Sequence, residues 1–193
     1  MADAIFKLVY FLELVLISVI QSTATRKFRG LSTAEDHSSR LDLSLLVLSS
    51  LGMIVPLFYI FSSALDFADY HLPVWMGWLG TVFFAGAAML LWKTHRDLGR
   101  NWTPTLAFRE SHTLVTAGIY RFIRHPMSAA HLLWAIAQPL MLQNWIAGFS
   151  FLVVTLPQYL LRVDDEEEMM LKKFGEDYKK YTKQTGRLFP KLF

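Results

Sequence analysis

The residues best suited to chemistry in this sequence form two short charged clusters, and the first is Arg124-His125-Pro126. Proline suits the first turn of a helix, where its missing N–H costs nothing. Arg124 and His125 are therefore expected at a helix N-terminus, where free backbone N–H groups favour a carboxylate or a hydroxyl-bearing ligand. Alternatively, both side chains anchor the chain at lipid head groups, and the spacing fits either interpretation.

The second cluster is the acidic run Arg162-Val-Asp-Asp-Glu-Glu-Glu168. On a helix, Arg162 and Glu166 share one face because residues four apart are neighbours. An arginine can hold a carboxylate through two parallel hydrogen bonds, and a glutamate one turn further on can hold a cationic amine or ribose hydroxyls. The run is therefore either a binding site for such groups or a solvated acidic cap with an incidental ion pair.

Several other kinds of site are not indicated. The chain has no cysteine, which excludes disulfides, Cys-ligated zinc and a thiol nucleophile. No glycine-rich phosphate loop or Ser/His/Asp pattern is present. A net charge of +3 without a concentrated basic face does not favour nucleic acid as a partner. The lone histidines lack metal-ligand spacing, so we expect no metal and interpret them as structural or interfacial: His37, His71, His95 and His131.

The elements that must position these clusters are apolar helices. Of 193 residues, 53% are hydrophobic and only 18% are charged, against about 25% charged in an average soluble domain. A helix needs about 17–25 mostly apolar residues to cross a membrane. The sequence predicts an all-α integral membrane bundle of about five transmembrane helices: Ala4–Ile20, Leu41–Leu65, Leu72–Trp92, Met127–Leu142 and Trp145–Leu161.

The first predicted span has an alternative interpretation as a cleaved signal peptide. We expect a retained helix, because Arg26, Lys27 and Arg29 follow the apolar stretch instead of preceding it, as a signal peptide requires. Lys and Arg are concentrated in the 21–40 loop, in the segment after the third span and in the tail. The positive-inside rule then predicts an N-terminus outside and a C-terminus in the cytosol.

We predict one membrane domain over residues 1–193. Residues 1–92 form three N-terminal spans, 93–126 a cytosolic connector, 127–161 a helical hairpin and 162–193 a cytosolic tail. In the connector, Thr116-Ala-Gly118 predicts a turn. The helical tail is expected to pack over the cytosolic mouth of the bundle, with a plain surface helix as the alternative.

Taken together, an ordered set of short blocks resembles the isoprenylcysteine carboxyl methyltransferase family and its phospholipid methyltransferase relatives. The resemblance covers about residues 93–191, and the ending Thr185-Gly-Arg-Leu-Phe-Pro190 is similar to short prokaryotic and archaeal members. The other blocks are His112-Thr-Leu-Val115, Gly118-Ile-Tyr120, Arg124-His-Pro126, Glu166-Glu-Glu168, Phe174-Gly175, Tyr178 and Tyr181.

The resemblance implies S-adenosylmethionine as methyl donor, with S-adenosylhomocysteine as product, in a cytosol-facing pocket under the tail. It also implies a substrate-binding role for Arg162 and makes Arg162 and Glu166 the candidate catalytic residues. Ser128 stands where the family usually has tyrosine, so a stacking surface and a hydrogen bond are lost there. The implied cofactor contacts are His112, Thr113, Leu114, Val115, Tyr120, His125, Pro126, Met127, Ser128 and Glu166.

The implied reaction is O-methylation of an isoprenylcysteine-like or other lipophilic carboxylate that enters from the bilayer. A carboxylate is ionised at neutral pH, so this reaction needs positioning and no general base. N-methylation of a phospholipid amine, which would need a base, and S-methylation of a small thiol are the alternatives. An NADPH enzyme similar to sterol reductases and a non-enzymatic membrane scaffold are the other classes. The membrane would be the plasma membrane in a prokaryote and the endoplasmic reticulum in a eukaryote.

Overall fold

A computed structural model describes residues 2–28, 33–36, 40–102, 107–109 and 113–191. The fold is all-α, as predicted, apart from a pairing of two short antiparallel strands, β1 (Thr33–Asp36) and β2 (Ala107–Arg109). That pairing was not predicted, and it joins the connector after the first helix to the connector after the third. The helices are α1 (Ala2–Phe28), α2 (Arg40–Phe61), α3 (Val74–Leu98), α4 (Pro126–Leu142), α5 (Trp145–Phe149) and α6 (Leu152–Gln184).

One helix occupies each of the first four predicted spans, and α5 with the start of α6 occupies the fifth. Within the described residues, three helical stretches are long and apolar enough to cross a membrane: Leu43–Phe61, Val74–Asn101 and Trp145–Gln184. Of the other two long helices, α1 carries Lys7 and Glu13 within its apolar stretch, and α4 has only 17 residues. Together the apolar helices identify an integral membrane protein.

The turn between α4 and α5 is as tight as the sequence predicts. Gln143 has a left-handed backbone with φ of 48° and ends α4. The Asn144 side chain then caps α5, because its Oδ1 accepts from the backbone N–H groups of Ile146 (3.0 Å) and Ala147 (2.8 Å). Its Nδ2 also donates to the Leu65 carbonyl oxygen at 2.7 Å, which ties this turn to the connection between α2 and α3.

The core lies between α1, α3, α4 and the start of α6, where aromatic rings pack in sequence. Tyr10 contacts Phe84 at 5.1 Å between ring centroids, Phe84 stacks on Trp134 at 5.3 Å, and Trp134 meets Phe151 at 4.4 Å. Gln138, fully buried, accepts a hydrogen bond from the Tyr10 hydroxyl at 2.8 Å. A buried amide is stable only when its polar atoms are paired, so this contact also fixes α1 against α4.

The last helix continues well beyond its predicted apolar part. α6 runs through the acidic run and reaches Gly175, where φ of 52° interrupts the helical backbone before the final turns. Pro157 lies inside α6 without ending it. As a result, one helix carries both the membrane-spanning residues and the charged residues at the mouth of the bundle.

Candidate functional site

A cavity of about 520 Å³ opens at the end of the bundle where the charged connectors meet. Residues from α1, α2, α3, α4, α6 and the 93–126 connector line it. Its volume lies within the usual range for a small-molecule site, about 300–1,000 Å³. Every predicted site residue that the structure describes lines this cavity: Thr113, Leu114, Val115, Tyr120, His125, Pro126, Met127, Ser128, Arg162 and Glu166. His112 lies outside the described residues.

Two hydrogen-bonded contacts hold the connector over the cavity. The Asn101 side chain accepts from the Thr113 backbone N–H at 3.0 Å and donates to the Thr113 hydroxyl at 3.2 Å. Further along, Asp97 Oδ2 accepts from the Ile119 backbone N–H at 2.8 Å. The predicted turn is confirmed, because Gly118 has φ of 63° and begins a short 3-10 helix. A side chain at Gly118 would also overlap the Asp97 carboxylate.

His125 occupies the predicted place at the start of α4, with Pro126 in the first turn. Its ring lies between two carboxylates, with Nδ1 at 3.3 Å from Glu166 Oε2 and Nε2 at 3.2 Å from Glu167 Oε1. Burial alone would lower the pKa of His125, but the hydrogen bonds to Glu166 and Glu167 raise it above its ordinary value because they stabilise the charged ring.

Arg162 and Glu166 share one face of α6, as their spacing predicts. Arg162 Nη2 lies 3.6 Å from Glu166 Oε1, and both residues line the cavity. The Arg162 side chain is 13% exposed and that of Glu166 is 31% exposed. The site therefore places a guanidinium and a carboxylate side by side where the apolar part of α6 ends.

Glu167 is the charged residue whose role the sequence analysis missed. Its Oε1 accepts from Arg124 Nε at 2.9 Å, and its Oε2 accepts from Arg187 Nη2 at 2.8 Å. With His125, three cationic or ionisable side chains converge on one carboxylate that is 16% exposed. These partners are 42, 43 and 20 residues away in sequence, so no local pattern predicts the cluster.

The tail closes one side of the cavity. Its backbone pairs with the segment before α4, since Arg124 N donates to Gly186 O at 2.8 Å and His125 N donates to Arg187 O at 3.0 Å. The Tyr181 hydroxyl donates to the Tyr120 carbonyl oxygen at 2.7 Å. Tyr178 and Tyr181 line the cavity, so the predicted packing of the tail over the mouth is confirmed.

Two histidines that the sequence indicates as structural or interfacial also line the cavity, His95 and His131. His95 is 7% exposed, and within the described part of the chain neither of its ring nitrogens has a hydrogen-bond partner. The ring also meets Trp102 edge-on at 5.3 Å, which adds an aromatic surface to this wall.

Comparison with known proteins gives one consistent answer. The model of the isoprenylcysteine carboxyl methyltransferase family matches residues 78–172. Protein-S-isoprenylcysteine O-methyltransferase B of Arabidopsis thaliana is 27% identical over 159 residues, covering 80% of this chain and 81% of that protein. The Homo sapiens protein-S-isoprenylcysteine O-methyltransferase is 37% identical over 81 residues, which are 42% of this chain and 28% of the relative.

A solved structure shares the fold. It is described as the eukaryotic intramembrane Ras methyltransferase, isoprenylcysteine carboxyl methyltransferase, and it superposes with a TM-score of 0.56 at 23% identity. The match covers 95% of this chain and 62% of that one. The region that matches the family model holds most of α3, the connector, α4 and the acidic run, which contribute many of the residues that line the cavity. Over residues 78–172 the chain matches the isoprenylcysteine carboxyl methyltransferase family, and its similarity to the named relatives identifies it as a membrane methyltransferase.

Proposed function

We propose that this chain transfers the methyl group of S-adenosylmethionine to the carboxylate of a lipophilic acceptor at the membrane surface. The observation that supports this most directly is one cavity that joins Arg162, Glu166 and the connector blocks at the end of the apolar helices. In this proposal a polar nucleoside cofactor would enter the cavity from the aqueous side, and an apolar acceptor would enter it from the bilayer.

The residues present fit the cofactor by their chemistry. S-adenosylmethionine carries ribose hydroxyls, an amino acid head and an aromatic base. The cavity offers a carboxylate from Glu166, the imidazole ring of His95 and the aromatic side chains of Trp102 and Tyr120. The proposed contacts remain those named from sequence, with Glu166 as the carboxylate and residues 113–115 and 125–128 as the walls.

The reaction needs alignment more than proton transfer. When bound, S-adenosylmethionine would supply an electrophilic methyl group for transfer to a carboxylate oxygen of the acceptor, with S-adenosylhomocysteine as the leaving group. Arg162 would hold the second carboxylate oxygen and orient the first. An ionised carboxylate needs no base, and the protein contributes by holding the reactants in line and excluding water.

The ion pairs of the acidic run disfavour an amine acceptor. Such an acceptor must lose a proton to a base. Glu166 already faces Arg162 and His125, and Glu167 is paired with Arg124, His125 and Arg187. Each glutamate therefore has a cation beside it, which disfavours its use as a base. The guanidinium of Arg162, by contrast, suits an acceptor carboxylate.

We extend the proposal to the orientation in the membrane, with the cavity in the cytosol and the N-terminus outside. The connections that lack Lys and Arg lie at one end, where Asn144 Nδ2 donates to Asp69 at 2.7 Å. The charged connector and tail lie together at the other end, joined through Arg124 and Gly186. Protease protection tests this orientation. In sealed right-side-out vesicles a C-terminal tag should be protected from added protease, and cleavage of the tag would contradict the proposal.

The decisive experiment compares ligands and variants in detergent. S-adenosylhomocysteine should raise the melting temperature by mass action, and NADPH should leave it unchanged. Arg162→Ala should abolish methyl transfer to carboxylate acceptors while S-adenosylhomocysteine still binds, and Glu166→Ala should weaken that binding. Arg121→Ala, an exposed arginine, is the matched control. A shift with NADPH alone, or full activity of Arg162→Ala, would overturn the proposal.

A further inference from the structure

Tyr159 is an aromatic residue of the cavity wall to which the proposed reaction assigns no role. It lies on α6 three residues before Arg162, and residues three apart are neighbours on one face of a helix. Three residues advance about 4.5 Å along the helix axis, so the two backbones lie less than one turn apart. Both side chains line the cavity, which places a phenol beside the guanidinium.

The Tyr159 ring also meets the wall that the start of α4 forms. Its centroid lies 6.3 Å from that of His125, with 74° between the ring planes, an edge-on arrangement that aromatic rings favour. His125 belongs to the wall proposed for the cofactor, and Arg162 is proposed to hold the acceptor. Tyr159 is therefore next to both halves of the proposed site.

The Tyr159 hydroxyl is available to a ligand. The hydroxyls of Tyr70 and Tyr181 each donate to a carbonyl oxygen of the protein at 2.7 Å. Within the described part of the chain, the hydroxyl of Tyr159 has no hydrogen-bond partner. Tyr159 is half-buried, and its hydroxyl keeps accessible surface, unlike that of Thr155. A phenol is protonated at neutral pH and can donate a hydrogen bond.

The proposed reaction gains from a second donor at this place. A carboxylate that is held by one guanidinium alone can still tilt about that contact. Arg162 Nη2 also lies 3.6 Å from Glu166 Oε1, so part of the guanidinium faces a carboxylate of the protein. Methyl transfer requires one acceptor oxygen to be aligned with the methyl group, and a second donor would fix the plane of the carboxylate.

We propose that the Tyr159 hydroxyl donates a hydrogen bond to the acceptor carboxylate, on the same oxygen that Arg162 holds. This inference rests on the proposed function, because it assumes a carboxylate at Arg162. A carboxylate oxygen can accept two hydrogen bonds, so the other oxygen stays free to receive the methyl group. Transfer removes the negative charge, and hydrogen bonds to a neutral group are about half as strong. The pair therefore favours the acid over its methyl ester, which assists release of the product.

The test compares N-acetyl-S-farnesylcysteine with its methyl ester. Binding of each is measured by calorimetry to the detergent-solubilised chain saturated with S-adenosylhomocysteine, and the parent should bind the acid more tightly. Tyr159→Phe keeps the ring and removes only the hydroxyl. It should weaken binding of the acid about tenfold and binding of the ester about threefold. A role in packing alone would change both affinities equally, so the preference for the acid is the decisive readout.

Tyr178→Phe is the matched control, because Tyr178 lines the same cavity from the tail and is not beside Arg162. This variant should leave the preference for the acid unchanged. The affinity of Tyr159→Phe for S-adenosylhomocysteine, measured without acceptor, should equal that of the parent. An unchanged preference in Tyr159→Phe would overturn the inference. A loss confined to S-adenosylhomocysteine affinity would overturn it too, and would assign the phenol to the cofactor in place of the one missing at Ser128.

Transfer from labelled cofactor separates this inference from the proposed function. If the preference for the acid depends on Tyr159 but no carboxylate is methylated, the hydrogen bond stands and the proposed reaction fails. If the parent and Tyr159→Phe methylate the acid with the same kcat/KM, the reaction stands and the inference fails. If neither the acid nor the ester binds, both are overturned.

Discussion

Replacing Glu167 by glutamine tests whether one carboxylate holds the site and the tail together. In the parent chain, Oε1 of Glu167 meets Nε and Nη2 of Arg124, each at 2.9 Å, and Nε2 of His125 at 3.2 Å. Oε2 accepts from Arg187 at 2.8 Å. Glutamine keeps the shape but has one acceptor oxygen and no charge, and its NH2 group faces donors. At least one of these contacts must be lost, and the rest are weakened.

The size of the effect follows from the burial of the partners. A hydrogen bond to a charged group is worth about 1.5–3 kcal/mol, and breaking a buried pair costs about 3–5 kcal/mol. The side chains of Glu167 and Arg124 are 16% and 10% exposed, but that of Arg187 is 43% exposed, so its contribution is screened by solvent. We expect Glu167→Gln to lower the free energy of unfolding by about 2–4 kcal/mol.

The measurement is thermal unfolding in detergent, followed by tryptophan fluorescence, together with calorimetry of S-adenosylhomocysteine. For a chain of this size, the expected loss lowers the melting temperature by roughly 5–10 °C. Cofactor affinity should fall as well, because His125 and the tail both line or close the cavity.

Glu168→Gln is the matched control for this experiment. The Glu168 side chain is 61% exposed, and its partner Lys172 is 75% exposed, at 2.6 Å. A surface pair of this kind contributes less than about 1 kcal/mol. If Glu167→Gln and Glu168→Gln gave the same melting temperature and the same affinity for S-adenosylhomocysteine, the cations around Glu167 would not contribute to stability. Our account of how the tail packs on the cavity would then be wrong.

Two further predictions follow from the connector and from His125. Gly118→Ala should destabilise the chain by more than Gly99→Ala, although both glycines have positive φ, because the new Cβ overlaps Asp97 only at position 118; equal melting temperatures would refute the close-packed turn. The raised pKa of His125 means that its stabilising effect is complete below its ordinary pKa of about 6.5 and is lost as pH rises through the folded value. The melting temperature should therefore fall as pH rises over that range, and His125→Gln should remove this part of the pH dependence. If the melting temperature of His125→Gln varied with pH as that of the parent does, the contact between His125 and Glu166 would not depend on the charge of the ring.

Local patterns predicted the residues whose partners lie nearby in sequence. Proline after His125 fixed the start of α4, and the four-residue spacing placed Arg162 beside Glu166 on α6. The strands β1 and β2 pair residues more than seventy positions apart, and neither is long enough to show an alternating pattern.

Two residues of α6 that line the cavity before Arg162 could have been found from the sequence. Thr155 and Gln158 continue the face of α6 that Arg162 and Glu166 occupy, so extending the same spacing into the apolar part of the helix would have found them. Glu167 could not be found in this way, because Arg187 reaches it only after Gly175 interrupts α6 and the tail returns to the mouth.

The three consecutive glutamates also explain how one acidic run can serve both stability and binding. Successive helical residues point about 100° apart, so Glu166 faces the cavity, Glu167 faces the cluster of cations and Glu168 faces solvent. Glu167 contacts Arg124 at 2.9 Å and Arg187 at 2.8 Å, and only its contact with His125 is longer, at 3.2 Å. Glu166 contacts Arg162 at 3.6 Å and His125 at 3.3 Å. Longer contacts cost less to exchange for those of a ligand. Glu166 is thus the member able to change partners when a ligand binds, and its replacement should reduce affinity with little loss of stability, whereas replacement of Glu167 reduces both.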